Sequence, residues 1–224
     1  MTATPTDAAR DRGWAVVVPV KRLDLAKTRL SRFAGDHRAR LASAFAADTV
    51  AAALACPAVE GVIVVTDDTE VAEIARGLGA TVVTDAPDDG LNPALAYGAD
   101  RAAALFPSSP LAALSSDLPA LRSDELSVAL LAARAHPTAF VSDAEGIGTT
   151  LLTATTRAAF EPRFGHRSRA AHRRAGVVEL TDGGLASLRR DVDTEVDLYD
   201  AQRLGLGQRS VLALGELQRE RASL

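Results

Sequence analysis

Short apolar runs alternate with longer amphipathic stretches along this chain, and the alternation reads as repeated strand–helix units. The first run, Trp14-Ala-Val-Val-Val-Pro-Val20, is rich in β-branched residues. It predicts a buried strand ending near Val18, where Pro19 breaks the pattern. Leu41, Phe45, Ala46, Val50 and Leu54 then recur at helical spacing, so residues 36–55 predict a long amphipathic helix with Asp36 as N-cap and Pro57 beyond its end. Residues 62–65 predict a second strand. Thr66-Asp-Asp-Thr-Glu70 opens the next helix, and the spacing of Asp67 and Glu70 suits N-cap and N3, which assigns Asp67 and Asp68 to capping. That helix stops at Gly77 or Gly79, and residues 81–84 predict a third strand. A turn-rich stretch over 85–93 feeds a helix over 94–105, with Asn92 as N-cap or as a contact to a ligand at a helix N-terminus. Residues 111–114 predict a fourth strand, Ser123 the cap of a helix to about residue 135, and residues 138–141 a fifth strand.

The order βαβαβαβαβ predicts a single-domain α/β fold in three layers, α/β/α, with a mostly parallel sheet and helices on both faces. After residue 141 the pattern changes to short strands at 151–153 and 177–180 and glycine-containing loops. Thr194 caps a helix over 195–204, and the residues after Gly207 predict a short helix that packs on the domain or on another subunit. The expected organisation is a disordered tail over 1–12, one folded domain over 13–205 and a C-terminal extension over 206–224.

Composition narrows the function classes. The chain has 224 residues, enough for a full core, and 47% hydrophobic with 24% charged residues is an ordinary globular balance, so wholesale disorder is excluded. No run of about 18 apolar residues is present, so no membrane span is expected. The N-terminus lacks the apolar core of a secretory signal, and the expected location is the cytoplasm. A net charge of −4 argues against nucleic acid as a partner. A single cysteine, Cys56, excludes an internal disulfide and reads as a small apolar residue at a helix end.

Candidate chemistry gathers where strands end. In Leu111-Ala-Ala-Leu-Ser-Ser-Asp-Leu-Pro119, the proline forces a turn and leaves Asp117 at the carboxyl end of a strand, where open α/β sheets bind ligands. Asp117 there is either a helix cap or a ligand for a divalent cation carrying a phosphate. Asp191 and Asp193 alternate along an extended backbone, so both carboxylates can face one way. The loop after the first strand carries Lys21, Arg22, Lys27 and Arg29, placed either to hold a nucleoside triphosphate or as a solvated helix start. It has neither a P-loop nor G-x-G-x-x-G, so phosphate would be held by cations. Gly146 and Gly148, followed by Thr149 and Thr150, suit either an anion-binding loop or an ordinary turn. Residues 163–174 are the most basic stretch. There Gly165 before Ser168 suits an anion at a helix N-terminus, and a solvated helix face or a nucleic-acid patch are the alternatives. With no G-x-S-x-G and no Cys–His nucleophile, acyl transfer is a poor fit, whereas Mg²⁺-assisted phosphoryl or nucleotidyl transfer suits carboxylates beside cations.

Six stretches in order resemble the phospholactate/phosphoenolpyruvate guanylyltransferases of deazaflavin coenzyme (F-420) biosynthesis. They are Val18-Pro-Val-Lys-Arg-Leu with Ala26-Lys-Thr-Arg-Leu-Ser31, Gly90-Leu-Asn-Pro-Ala-Leu95, Ser116-Asp-Leu-Pro-Ala-Leu121, Gly146-Ile-Gly-Thr-Thr150, Arg163-Phe-Gly with Ser168, and Leu188-Arg-Arg-Asp-Val-Asp-Thr194. The resemblance implies a nucleotide-diphospho-sugar transferase-like (Rossmann-like) fold. It also implies transfer of GMP from GTP to a three-carbon phospho-acid with release of pyrophosphate. By motif, Thr149, Gly165 and Ser168 would bind the acid, Asp117, Asp191 and Asp193 would hold Mg²⁺, and Lys21 and Lys27 would neutralise the triphosphate. Phosphoenolpyruvate is the expected acid, with 2-phospho-L-lactate or 3-phosphoglycerate as alternatives; a homodimer and a downstream phospho-transferase are the expected partners. Two departures bear on the acid: His166-Arg167 stands where the family often carries proline and an acidic residue, and Ile147 where a threonine is commoner.

Overall fold

The computed structural model describes residues 12–21, 34, 37–86, 88–181 and 183–222. Lys27, Arg22, Arg29, the predicted cap Asp36 and most of the predicted N-terminal tail lie outside these residues. Seven strands form one sheet: β1 (Trp14–Pro19), β2 (Val59–Val65), β3 (Thr81–Val83), β4 (Leu111–Leu114), β5 (Thr138–Ser142), β6 (Thr149–Ala154) and β7 (Val178–Glu179). Their spatial order is β3-β2-β1-β4-β6-β5-β7. The pairs β3–β2, β2–β1, β1–β4 and β5–β7 are parallel, whereas β6 runs antiparallel to both β4 and β5. The sheet is thus mostly parallel, and β6 accounts for the change of pattern after residue 141.

Eight α-helices are described: α1 (Arg38–Leu54), α2 (Thr69–Leu78), α3 (Leu91–Leu105), α4 (Ser123–Ala133), α5 (Ser168–Arg174), α6 (Ala186–Arg189), α7 (Glu195–Leu204) and α8 (Gln208–Ala222). The central strand β1 is fully buried from Trp14 to Val18, and its side chains alternate between two cores. Trp14, Val16 and Val18 pack with residues of α1, α2 and α4, while Ala15 and Val17 pack with Ala94, Leu95, Ala99 and Ala102 of α3. This double burial is why the strand reads as an unbroken apolar run.

A third core explains the C-terminal helix. Leu41, Ala44 and Phe45 on the outer side of α1 meet Leu198 and Ala201 of α7 and Ala213, Leu214 and Leu217 of α8. The α1 residue Asp48 caps α8: its carboxylate accepts from the backbone N–H of Arg209 at 3.2 Å and of Ser210 at 2.8 Å. The segment after Gly207 is therefore a fifteen-residue helix docked on α1, longer than the short helix expected.

Three predicted caps shift. Thr194 caps α7 as expected, in a capping box with Asp197. Ser123, however, is the first residue of α4, and the N-cap position falls to Arg122 without a side-chain bond. Helix α3 begins at Leu91 with Gly90 at its N-cap, so Asn92 lies inside the first turn and caps nothing. Helix α2 is capped by Asp68, whose carboxylate accepts from the N–H of Val71 at 3.1 Å. The helix starts one residue later than the Asp67–Glu70 spacing implied, and Asp67 is left for other work. Cys56 is buried beside the end of α1, and burial pushes its thiol up. No helix among the described residues is long and apolar enough to cross a membrane.

Candidate active site

Strands β1 to β4 end on one edge of the sheet, and antiparallel β6 begins there, because Leu114 pairs with Leu151. The turns along this edge form two neighbouring regions with different chemistry.

The first is a cleft of about 210 Å³ beyond β1, β2 and β3, lined by Lys21, Val65, Asp67, Asp85, Asp88 and Leu91, among others. Carboxylate oxygens of Asp67, Asp85 and Asp88 lie within 4.8 Å of one another. Asp67 accepts from the backbone N–H of Asp85 at 3.1 Å. Asp85 Oδ1 is buried with no hydrogen-bond partner among the described residues. Burial raises the Asp85 carboxyl above the usual carboxylate range; the Asp88 backbone N–H opposes this, the charges of Asp67 and Asp88 add to it, and Lys21 opposes it. Lys21 is exposed. Assigning Asp67 to capping hid this cluster from the sequence reading; the readable signal was a doubled aspartate after a strand where one cap suffices.

The second region surrounds Asp117. Thr49, in the middle of α1 and fully buried, holds the Asp117 turn from beneath. Its hydroxyl donates to the Phe45 carbonyl at 2.8 Å and lies 3.3 Å from the Ser116 carbonyl, while the N–H of Leu118 donates to it at 3.1 Å. The carbonyl of Asp117 accepts from the N–H of Val192 at 3.0 Å. That bond joins the turn after β4 to Asp191-Val-Asp193, whose valine is fully buried. Two arginines brace the same segment: Arg189 donates to the Ser142 hydroxyl at 2.8 Å and the Leu180 carbonyl at 2.7 Å, and Arg190 pairs with Asp197 at 3.3 Å. The segment is irregular rather than extended, and the carboxylates of Asp117, Asp191 and Asp193 do not converge as a set the way those of Asp67, Asp85 and Asp88 do.

Beside Asp117, the start of β6 carries a register shift: Val141 faces Leu151, but Ser142 faces Thr149. Such bulges re-aim side chains. The Ser115 N–H donates to the Thr150 carbonyl at 2.8 Å, which fixes the bulge to the Asp117 turn. The Thr150 hydroxyl is buried with no partner among the described residues. The Thr149 hydroxyl lies 3.0 Å from Nδ1 of His172, a fully buried imidazole of α5. Burial pushes that imidazole down to about 4; the Arg163 charge acts the same way, and the Ser168 backbone opposes both.

Both turns expected to bind an anion also make hydrogen bonds of their own. In the glycine loop, the Asp143 carboxylate accepts from the N–H of Ile147 at 2.8 Å and of Gly148 at 2.5 Å, and the Asp143 carbonyl accepts from Gly146. A Cβ on Gly148 would stand 2.4 Å from that carboxylate, so the glycine serves close approach within the loop. At the start of α5, the N–H of Ser168 donates to the Gly165 carbonyl and that of Arg169 to the Ile147 carbonyl. Gly165 takes φ 120°, and Ser168 is buried. Asn92 reaches across from α3 and clamps Phe164: its Nδ2 donates to the Phe164 carbonyl at 3.0 Å, and its Oδ1 accepts from the Phe164 N–H at 2.8 Å. Asn92 thus orders the 163–165 turn. Thr49 and His172 are the functional positions the sequence reading missed, signalled by a hydroxyl inside an alanine-rich helix and by a histidine one turn after Ser168.

Comparison with known proteins places the fold and the family. Among solved structures, the fold is similar to a nucleotide-diphospho-sugar transferase from Desulfovibrio desulfuricans, with a TM-score of 0.66 at 20% identity, covering 93% of this chain and 98% of that one. It is also similar to a nucleotidyl transferase from Methanothermobacter, with a TM-score of 0.57 at 17% identity, covering 87% and 98%. Among curated relatives, the phosphoenolpyruvate guanylyltransferase of Streptomyces coelicolor is 54% identical over 205 residues, 91% of this chain and 97% of the relative. That of Thermomonospora curvata is 52% identical over 208 residues, 93% and 91%. The family described as guanylyl transferase CofC-like matches residues 14–215, from β1 into α8, and the chain belongs to that family.

Proposed function

We propose that this protein transfers the guanylyl group of GTP to phosphoenolpyruvate. A phosphate oxygen of the acid attacks the α-phosphorus of GTP, the bond between the α-phosphorus and the bridging oxygen breaks, and pyrophosphate leaves with the electron pair. The attacking oxygen is already anionic, so no strong general base is needed, and positioning with charge neutralisation carries the step. The supporting observation is the bond from the Val192 N–H to the Asp117 carbonyl, which brings two acidic segments to the edge where Thr149 and the unpartnered Thr150 hydroxyl stand. The acid is taken from the relatives, whose names specify phosphoenolpyruvate.

In this reading Thr149, Gly165 and Ser168 receive the acid. Mg²⁺ takes one or two carboxylates together with substrate phosphates, so Asp117, Asp191 and Asp193 need not converge by themselves; they would hold the ion with the phosphates, whose charge it would neutralise. Lys21 and Lys27 serve the triphosphate. The nucleoside end goes to the Asp67–Asp85–Asp88 cleft, because guanine offers N–H donors that carboxylates accept, whereas the triphosphate would be repelled there.

The test is pyrophosphate release from GTP and Mg²⁺ with phosphoenolpyruvate, 2-phospho-L-lactate or 3-phosphoglycerate. The downstream phospho-transferase and its deazaflavin acceptor are included to draw off the product. Release with phosphoenolpyruvate in preference to the others is expected. Release with another acid would reassign the substrate, and no release with any of them would end the guanylyltransferase reading.

A further inference from the structure

We propose that His172 is a positioning residue that sets the direction of the Thr149 hydroxyl, so that this hydroxyl donates its hydrogen to the anionic phospho-acid; the proposal rests on the reading of the site given above. The hydrogens around the ring fix the direction. The backbone N–H of Arg163 donates to Nε2 of His172 at 3.1 Å. A backbone N–H can only donate, so Nε2 carries the lone pair. A neutral imidazole with its lone pair at Nε2 carries its hydrogen at Nδ1. Nδ1 lies 3.0 Å from Thr149 Oγ1, with the Ser168 carbonyl as a second acceptor for the same hydrogen, so the imidazole donates and the hydroxyl accepts. The hydroxyl's own hydrogen then has to find another acceptor.

The surroundings hold the ring in this state. His172 is fully buried. Phe140 tilts against it at 5.5 Å and Phe164 meets it edge-on at 5.6 Å between ring centres. Phe164 is itself clamped by Asn92 through both its N–H and its carbonyl. A ring flip would set N–H against N–H at Arg163, and burial beside the Arg163 charge disfavours the doubly protonated ring. His172 also lies four residues after Ser168 on the same helix, so one buried side chain registers the start of β6, the 163–165 turn and α5 together. A hydroxyl whose lone pair is occupied from behind acts as a fixed donor, and a fixed donor favours a carboxylate or phosphate oxygen in front of it.

Two experiments test this. Long-range ¹⁵N–¹H spectra of histidine-labelled wild-type protein, assigned by the resonance lost in His172→Gln, read the tautomer directly. The expected result at pH 7 is a neutral ring with hydrogen on Nδ1; hydrogen on Nε2, or on both nitrogens, would overturn the proposal even if the variants fold poorly. In steady-state kinetics, Thr149→Val and His172→Gln should each raise the KM for the acid by roughly 10- to 100-fold, the size of a lost hydrogen bond to a charged group. The KM for GTP should change little. The double variant should be no worse than the more severe single one, because both remove the same interaction. His172→Asn, which keeps a donor near the Nδ1 position, should be milder than His172→Gln by several-fold. Additive effects, or equal changes in both KM values, would show a structural role only and sink the idea. Absence of turnover by wild-type protein with any acid would instead end the guanylyltransferase reading, and with it the ligand end of this proposal, whatever the tautomer.

Discussion

The two halves of this sheet edge handle polar groups in opposite ways. Beyond β1–β3, three carboxylates crowd together, one oxygen of Asp85 has no partner among the described residues, and the cleft stays open. Beyond β4 and β6, most of the polar groups described are tied to one another: Thr49 to the Asp117 turn, Asp143 to its own glycine loop, His172 to Thr149 and Arg163, Arg189 to Ser142 and Leu180, and Arg190 to Asp197. The first half tolerates electrostatic strain that a ligand's donors can relieve. The second spends its hydrogen bonds on geometry, which suits a region where two reacting phosphates must be aligned.

The largest expected effect comes from removing the acidic group at the centre of the ordered half. Asp117→Ala should lower kcat/KM by about 10³-fold or more, the scale of losing a group that stabilises transition-state charge. The protein should still fold, since the turn is held through backbone atoms by Thr49 and Val192. Loss of folding together with activity would mean that Asp117 is structural and that the contrast between the halves is drawn wrongly.

pH sharpens the comparison, because the two halves titrate in opposite senses. His172 is held at about 4, below an ordinary histidine near 6.5, so the unfolded chain binds more protons between those values. Stability from this residue is complete above about 6.5 and is lost as pH falls through about 4, by roughly 3 kcal/mol at the limit. Asp85 is raised, so its ionised form costs stability at neutral pH and that cost is relieved as pH falls through its folded-state value. Melting curves between pH 7 and 4.5 should show His172→Gln flattening the acid loss of stability and Asp85→Asn steepening it. Identical slopes in both variants would remove the electrostatic contrast.

Thr49→Val should cost about 1 to 3 kcal/mol, because it strips the Leu118 N–H of its acceptor in a buried site. For a chain of this size that is a fall of several degrees in melting temperature. A fall in kcat should accompany it, since the Asp117 turn loses its support. Smallest is Asp143→Asn, expected to cost about 1 kcal/mol or less by weakening the bonds to the N–H groups of Ile147 and Gly148. If those amides served a bound anion instead, the same change would tighten the acid, and a lowered KM would reverse the assignment of that loop.

Much of the fold was readable because burial on both faces leaves strong marks. The apolar runs at 14–18, 62–65 and 111–114 correspond to β1, the buried end of β2, and β4, since a strand covered on both sides admits few polar residues. Asp117 and Thr149 were placed at strand ends by Pro119 and by the glycine loop, and the structure puts both on one edge. The helix starts were less readable. Asp67 and Asp68 are both good caps, and only the path of the chain after β2 decides which one faces the helix and which faces the cleft. The roles of Asn92 and Asp143 were hidden for a related reason: an amide or carboxylate beside a loop looks the same whether it meets a ligand or the loop's own backbone.

The sequence by itself determined the strand–helix order, the family motifs and the residue types available for nucleotidyl transfer, because these depend on periodicity and on chemistry local to a few neighbours. Tertiary structure alone decided the partners. It set β6 antiparallel beside β4, bringing Thr149 to Asp117; it put Thr49 under the Asp117 turn from a helix 67 residues earlier; and it faced His172 toward both Thr149 and Arg163. Hydrogen bonds act over about 3 Å of space whatever the separation along the chain, so which donor meets which acceptor is settled only when the layers pack.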